Sequence, residues 1–164
     1  MRMKPSRVLA TTGAALCMAY ATGASADVST IQQPGVHADY VFELEPHVIV
    51  APFHDFEPGV GVRGSIEIVD NGFIKTINNT VAIGFGADWA KEHFRVPIVM
   101  QWNFWLSRNW SVFGEPGGLI DFEKKKTRPQ PAFYAGGRFH FTEDITLTMR
   151  VGHPTASVGV SFLL

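Results

Sequence analysis

Apolar and polar residues alternate through the C-terminal part of the chain. From Phe133 to Leu164 one face of each segment is mostly apolar and the other is mostly polar. Turn residues at 142–144 and 152–154 break the pattern into three segments. Strict alternation over segments of about ten residues is typical of transmembrane β-barrel strands. It predicts an outer face that meets lipid and an inner face that is polar.

The same alternation predicts five earlier strands, over 40–51, 59–69, 80–89, 94–105 and 110–122. Pro46 favours an edge or a bulge in the first strand. The Gly-Glu-Pro-Gly-Gly run at 114–118 predicts a bulge or bend in the fifth. Residues 73–77 offer a possible extra strand. We favour a turn there, because bacterial barrels have even strand counts. Residues 123–130, EKKKTRPQ, are predicted as a charged loop.

The expected fold is therefore all-β: a single eight-stranded antiparallel up-and-down transmembrane β-barrel over residues 40–164. Residues 1–26 are predicted to be a secretory signal peptide. Basic residues at 2, 4 and 7 precede a short apolar core, and Ala24-Ser25-Ala26 fits cleavage after Ala26. Residues 27–39 lack a pattern and are expected to form a short, flexible periplasmic lead-in. The predicted location is the outer membrane, with both termini of the mature chain in the periplasm.

The amino-acid composition excludes several classes of function. The predicted leader contains three of the 14 basic residues and none of the 15 acids, so the mature chain is acidic and does not favour nucleic acid. The single cysteine, Cys17, is in the leader, so thiol chemistry is not expected. The histidines and acids lack the spacing of zinc sites, and we expect no metal and no cofactor.

The inward positions of the predicted strands include many charged residues. The interior of an eight-stranded barrel is just wide enough for side chains to fill it. Charges held there must pair, for example Glu67 with Arg95, because an isolated buried ion is very unfavourable. A salt-bridged plug is therefore favoured over a conducting or catalytic interior. The predicted interior charge network comprises Glu43, Glu45, Arg63, Glu67, Asp88, Arg95, Glu115, Asp121, Arg138 and Arg150, with His47 and His140 on the same face.

Two further sets of residues suggest contacts with the membrane. Aromatic residues near strand ends predict the girdles that lie at membrane interfaces. Lysines and an arginine in the charged loop predict electrostatic contact with lipopolysaccharide phosphates. The predicted girdle comprises Tyr40, Trp89, Phe94, Trp102, Trp110 and Phe122. The predicted lipopolysaccharide contacts are Lys124, Lys125, Lys126 and Arg128.

The last strand ends in Val158-x-Val160-x-Phe162-x-Leu164. This pattern resembles the C-terminal assembly signal of small OmpA/OmpX-type bacterial outer-membrane barrels, except that it ends in Leu rather than an aromatic residue. The segments GSIEIVDNGFIKTINNTVAIGFGADW and VMQWNFWLSRNWSVFGEPG also resemble a group of proteobacterial outer-membrane barrel proteins. The resemblance implies a Gram-negative source and contact with the barrel-assembly machinery. Its motifs are structural and imply no activity.

These observations favour a monomeric barrel with a structural or interaction role in the outer membrane and no enzymatic activity. One alternative is a small channel, or a transporter that moves hydrophobic ligands laterally through a bend at 114–118. Another is a lipid A-modifying enzyme, for which His140, Thr142 and the acids at 143 and 144 offer a His–hydroxyl–carboxylate set. A third is a secreted lipocalin-like binding protein, with the apolar face turned inward.

Overall fold

A computed structural model describes residues 28–50, 58–123 and 126–164, and in these ranges the regular structure is entirely β. The strands form one closed barrel in chain order, with each antiparallel to the next and β1 antiparallel to β8. The prediction of an eight-stranded antiparallel up-and-down barrel is confirmed. Its strands are β1 (Phe42–Val50), β2 (Gly59–Val69), β3 (Asn79–Ala90), β4 (His93–Trp105), β5 (Trp110–Glu123), β6 (Lys126–His140), β7 (Ile145–His153) and β8 (Ala156–Leu163).

The apolar face of the wall is its outer face. Successive side chains in a strand point to opposite sides of the sheet, so the alternation in sequence becomes an apolar outside and a polar inside. Large outward side chains are widely exposed; Ile98, for example, has 59% of its surface accessible. A lipocalin-like barrel requires the reverse arrangement, and the described strands do not have it. Within the described ranges, no helix has the length and apolarity to cross a membrane.

Strands β5 and β6 are longer than the sequence pattern indicated. They pair in constant register from Trp110 with Phe139 to Glu123 with Lys126. The predicted loop over 126–130 is therefore wrong, because these residues continue β6. The predicted bulge or bend at 114–118 is also absent: β5 is one strand whose register with β4 and β6 does not shift there, although its pairing with β4 is interrupted at Glu115 and Pro116. A Cβ on Gly117 would lie 2.4 Å from the carbonyl oxygen of Ile98, so the glycine run allows a close approach of β4 rather than a break in β5.

Residues 70–78 form a turn, as the even strand count favoured. The backbone N–H of Gly72 donates to the carbonyl of Asn79 at 2.7 Å. The Asn79 amide nitrogen donates to the carbonyls of Ile74 and Ile77, each at 2.7 Å. A Cβ on Gly72 would lie 2.0 Å from the Asn79 side-chain oxygen. The glycine and the asparagine are thus both required for this compact turn.

The segment before β1 packs across the mouth of the barrel at which β1 begins and β8 ends, here called the terminal mouth. The N–H of Thr30 donates to Leu106 O at 2.9 Å, and that of Asn78 donates to Ile31 O at 2.7 Å. The His37 ring stacks on Trp105 with centroids 5.5 Å apart. Residues 28–39 are therefore attached to the barrel, which differs from the flexible lead-in expected from their lack of pattern.

Candidate functional site in the barrel interior

The interior holds most of the charged side chains that face inward from β1 to β7. Each lies on the polar side of its strand, and the pairing of β1 with β8 closes the sheet around them. A closed sheet leaves no free edge between its first and last strands. The structure brings nine of the ten predicted network residues into ion-pair contact: Glu43, Glu45, Arg63, Asp88, Arg95, Glu115, Asp121, Arg138 and Arg150.

Arg150, on β7, is the centre of the most connected cluster. Its Nη1 and Nη2 donate to the two carboxylate oxygens of Glu45 at 2.8 and 2.9 Å. Its Nε and Nη2 donate to the two oxygens of Glu115 at 2.9 and 3.2 Å. Gln101 donates to Glu115 at 2.9 Å. The Arg150 guanidinium thus makes two hydrogen bonds to each of two carboxylates. Such bidentate pairing is the strongest geometry for an arginine–carboxylate pair.

Arg138, on β6, forms a second cluster closer to the terminal mouth. Its Nη2 donates to both carboxylate oxygens of Glu43, at 2.8 and 3.0 Å. Its Nη1 donates to the Asn103 side-chain oxygen at 2.7 Å, and Ser65 donates to Glu43 at 3.0 Å. The Arg138 and Glu43 side chains are each only 2% exposed. This pair is fully enclosed, so it depends on these neutral partners for its remaining hydrogen bonds.

The Phe113 ring lies between these two clusters. Its centroid is 4.4 Å from Cζ of Arg138 and 5.1 Å from Cζ of Arg150, within cation–π range of both. A Cβ on Gly136 would lie 2.3 Å from the ring, so the glycine makes room for it. The ring therefore contributes a favourable cation–π contact to each arginine.

A third cluster lies toward the other mouth, here called the opposite mouth. Arg63 Nη2 donates to Asp88 at 3.1 Å, and His47 Nε2 lies 3.0 Å from the other Asp88 oxygen. Arg63 Nη1 is 3.6 Å from Glu115, and its guanidinium lies 4.8 Å above the Tyr134 ring. Arg63 therefore links this cluster to the one around Arg150.

At the rim of the opposite mouth, Asp121 lies between His93 and Arg95. His93 Nδ1 is 3.0 Å from Asp121 Oδ1, and Arg95 Nε is 3.5 Å from Asp121 Oδ2. The Arg95 and His93 side chains are 13% and 26% exposed, so this group is the most accessible part of the network. Solvent screening weakens such exposed ion pairs, so the group around Asp121 contributes little to the stability of the barrel.

The example pairing of Glu67 with Arg95 is wrong. Glu67 lies opposite Ala82 near the terminal mouth, whereas Arg95 lies opposite Asp88 near the opposite mouth. Glu67 is only partly buried. Sequence reasoning also missed the neutral residues that complete the network, such as Gln101 and Asn103. Their inward position in β4 is visible in the alternation, but no pattern indicates which charge each of them meets.

Side chains leave almost no free volume in the middle of the barrel. The space among Glu45, Arg63, Gln101, Glu115 and Arg150 is about 10 Å³, which is roughly the space for one water molecule. Four apolar residues form a further buried cluster in the wall: Val99, Leu119, Ala132 and Tyr134. An ion or a ligand could enter only after the ion pairs had separated.

The predicted girdle residues lie in two rows on the outer wall, with one exception. Trp89, Phe94 and Phe122 are 65%, 44% and 40% exposed near the opposite mouth. Trp110 is 44% exposed near the terminal mouth, where Trp102 is half-buried. Tyr40 is the exception, and its predicted place in the girdle is wrong. It lies before β1, 5% exposed, in a buried cluster with Trp105 and Leu163, and burial raises the pKa of its hydroxyl.

The His–hydroxyl–carboxylate set that the enzyme alternative would need does not assemble at 140–144. Thr142 Oγ1 accepts from the N–H groups of Asp144 and Ile145 at 3.3 and 3.0 Å, so it caps a turn. His140 Nε2 instead lies 2.9 Å from Ser111 Oγ, and both of these residues are buried. His140 and Thr142 thus have separate partners, and the alternative based on them lacks its arrangement of groups. Across the part of the chain that the structure describes, no cluster of three or more His, Cys, Asp or Glu could hold a metal ion.

The remaining predicted residues lie at the two ends of the wall. Lys126 and Arg128 are exposed on β6 at the opposite mouth, and Lys124 and Lys125 lie outside the described residues. The apolar residues of the predicted assembly signal, Val158, Val160, Phe162 and Leu164, are exposed on the outer face at the end of the chain.

Comparison with known proteins agrees with this architecture. No family model and no curated protein matches the sequence. Among solved structures, the chain is similar to the backbone structure of the Yersinia pestis outer membrane protein Ail in a phospholipid bilayer nanodisc. The TM-score is 0.53 at 10% sequence identity, and the match covers 77% of this chain and 100% of that chain. At this identity the likeness establishes the fold, that of a small closed barrel.

Proposed function

We propose that this chain is a closed barrel of the Gram-negative outer membrane, exported by its signal peptide, with a structural or interaction role there. The observation that carries the proposal is the contrast between the two faces of the wall. Inside, the arginines bind carboxylates and leave about 10 Å³ among them. Outside, apolar side chains form a belt bounded by exposed aromatic rings, as in transmembrane barrels.

A membrane explains the outer face better than water does. Soluble monomers rarely expose continuous apolar patches larger than a few hundred Å². Here large apolar side chains are exposed on every strand, including Val48, Val62, Ile83, Ile98, Ile120, Phe133, Val151 and Val160. The similar protein, Ail, is an outer membrane protein whose structure was determined in a bilayer. The same environment would cover the belt of this chain.

The packed interior argues against the channel and transporter alternatives. Conduction would require the Arg150, Arg138 and Arg63 clusters to separate, which would leave buried charges without partners. The transporter alternative needs a wall opening at 114–118. There β5 stays continuous and pairs with β6 throughout, and its pairing with β4 is interrupted only at Glu115 and Pro116 without a change of register. We therefore propose a sealed barrel that acts through its surfaces.

The full-length protein, expressed in a Gram-negative host, tests this proposal. We expect it in the outer-membrane fraction, with faster gel migration before boiling than after, because a closed barrel resists detergent. In planar bilayers we expect no unitary conductance above that of protein-free membranes. A soluble periplasmic protein without the mobility shift would contradict the membrane assignment. Regular unitary currents from purified protein would contradict the sealed interior.

We also propose that the cations at the opposite mouth contact lipopolysaccharide phosphates. Lys126 and Arg128 are exposed on either side of Thr127, which pairs with Phe122 of the aromatic row near the opposite mouth. Each cation near an anionic membrane surface contributes about 1 kcal/mol. A Lys126→Gln/Arg128→Gln variant should therefore bind lipopolysaccharide roughly 30-fold more weakly at low salt, with a smaller salt dependence. Adding Lys124→Gln and Lys125→Gln should weaken binding further.

The matched control removes two exposed cations from the turns at the terminal mouth, Lys75→Gln/Arg108→Gln. Binding by the purified barrels in detergent is measured by titration with lipopolysaccharide at several salt concentrations. We expect the control to bind like the unmodified protein. Equal losses in the two variants would mean that net charge alone, rather than the opposite mouth, determines binding, and the proposal would be abandoned.

The last strand supports a proposal about assembly. Val158, Val160 and Phe162 form an exposed apolar row on β8, the strand that closes the barrel against β1. We propose that the barrel-assembly machinery recognises this row before closure. In that case Phe162→Ser should lower the amount of folded barrel in the outer membrane.

A further inference from the structure

Prolines occur at five positions inside the strands of this barrel, although a proline cannot donate a backbone hydrogen bond to a neighbouring strand. At three of them the proline nitrogen is directed at a neighbouring strand that pairs with the rest of the strand. The strand pairing is interrupted at Pro46 between β1 and β8, at Pro97 between β3 and β4, and at Pro116 between β4 and β5. Each of these three prolines therefore costs the wall a hydrogen bond. The other two, Pro129 and Pro131, are in β6 and interrupt nothing.

The part of β6 that contains Pro129 and Pro131 has a neighbour on one side. It pairs with β5 along its whole length, as far as Glu123 with Lys126. Its pairing with β7 ends at Phe133 with His153. Among the described residues, no strand lies along the β7 side of Lys126–Ala132. Within the ranges that the structure describes, the wall thus ends at the opposite mouth in an open strand edge.

The register shows which backbone groups face this edge. The N–H of His140 donates to Asn109 on the β5 side. Because neighbouring residues of a strand bond to opposite sides and the β5–β6 register is constant, the even-numbered residues of β6 bond to β5. The odd-numbered residues, including Pro129 and Pro131, direct their backbone groups away from β5. Both prolines therefore lie where an N–H group would otherwise be available on the open edge.

We propose that Pro129 and Pro131 prevent this edge from pairing with a second copy of the chain and so keep the barrel monomeric. An exposed strand edge with free N–H and C=O groups is a template for strand addition. Two β6 edges could pair around a two-fold axis, which would join two barrel walls into one sheet. With prolines at 129 and 131, the open edge over 127–131 has a single donor, at Thr127, and such pairing loses its other hydrogen bonds.

Replacing both prolines by a residue that favours strands tests the proposal. The Pro129→Thr/Pro131→Thr variant regains two donors in each copy, so its dimer association constant should rise at least about tenfold. The purified barrels are compared by sedimentation in detergent micelles over a range of protein-to-detergent ratios. Gel mobility before and after boiling verifies that each variant is folded. The single variants Pro129→Thr and Pro131→Thr should each give a smaller rise.

Pro97→Thr is the matched control, because it restores a donor to the paired seam between β3 and β4. It should stay monomeric. A folded double variant that sediments as a monomer at every ratio would overturn the proposal, as would a dimeric unmodified protein or equal dimerisation of the Pro97→Thr control. Should the double variant not fold, the two single variants decide by the same criterion.

Discussion

An Arg150→Met variant should lose about 3–5 kcal/mol of unfolding free energy, because removing one partner of a buried ion pair leaves an uncompensated charge. Arg150 donates four hydrogen bonds to Glu45 and Glu115, and all three side chains are at most 2% exposed. Domains are stabilised by about 5–15 kcal/mol in total, so the loss is a large fraction of that value. It is measured by urea titration of the barrel folded into lipid vesicles.

Two variants distinguish a buried charge from a general packing defect. The triple variant Arg150→Met/Glu45→Gln/Glu115→Gln removes the charges together and should recover much of the lost stability, since neutral groups of similar volume can replace a buried ion pair. Arg95→Met makes the same substitution at the rim, where one contact of 3.5 Å is partly exposed, and should cost about 1 kcal/mol or less. Equal losses for Arg95→Met and Arg150→Met would mean that water reaches the whole interior.

The sequence was sufficient to predict the fold, because strand formation and the direction of each side chain depend on a period of two residues. The predicted range of the second strand is identical to β2, and the fourth and fifth differ from β4 and β5 by one residue at an end. The alternation holds wherever one face is apolar, since a shift of one residue would put the wrong face outside. The alternation in the sequence therefore identifies, residue by residue, which side chains of a strand face the interior.

The partners inside the barrel could not be predicted in this way. Arg138 meets Glu43 across the interior although 95 positions separate them in the chain. Such contacts depend on how far each strand is displaced along its neighbour, and these displacements accumulate around the wall. Following the paired residues once around the barrel from Phe122 leads back to Val112 on the same strand. Nothing local in the sequence specifies that stagger, so Glu67 and Arg95 were paired incorrectly.

The misplaced boundaries have a different cause. Consecutive charges and one proline in EKKKTRPQ, followed by Pro131, indicate a loop, since both are uncommon in the middle of a sheet. They are compatible with β6 because Pro129 and Pro131 face its open edge. Residues 28–39 and Tyr40 differ from the sequence prediction for a related reason. They are held in place by contacts with Trp105, Asn78 and Leu163, which are distant in the chain. Contacts of this kind produce no periodic pattern of apolar residues in the sequence.

Replacing Ile98 with arginine should destabilise the barrel by about 2–4 kcal/mol in a bilayer, the cost of a cation on the lipid face near the membrane midplane. Ile98 is 59% exposed and lies midway along β4 between Phe94 and Trp102, one in each aromatic row. On a barrel surrounded by water, a side chain this exposed would tolerate arginine within about 0.5 kcal/mol. The same substitution therefore distinguishes the two environments by the size of its effect.

The control introduces the same charge at the end of the wall. Thr127 is exposed on the outer side of β6 near the hairpin tip, and Thr127→Arg should change the unfolding free energy by about 1 kcal/mol or less, because the cost of a charge falls toward the interface. Urea titrations in vesicles of one lipid composition give both values. A large loss of unfolding free energy for Ile98→Arg, together with a small change for Thr127→Arg, is expected only if lipid surrounds the middle of the wall. Equal, small changes at both sites would mean that this face meets water, and the apolar belt would then need another explanation.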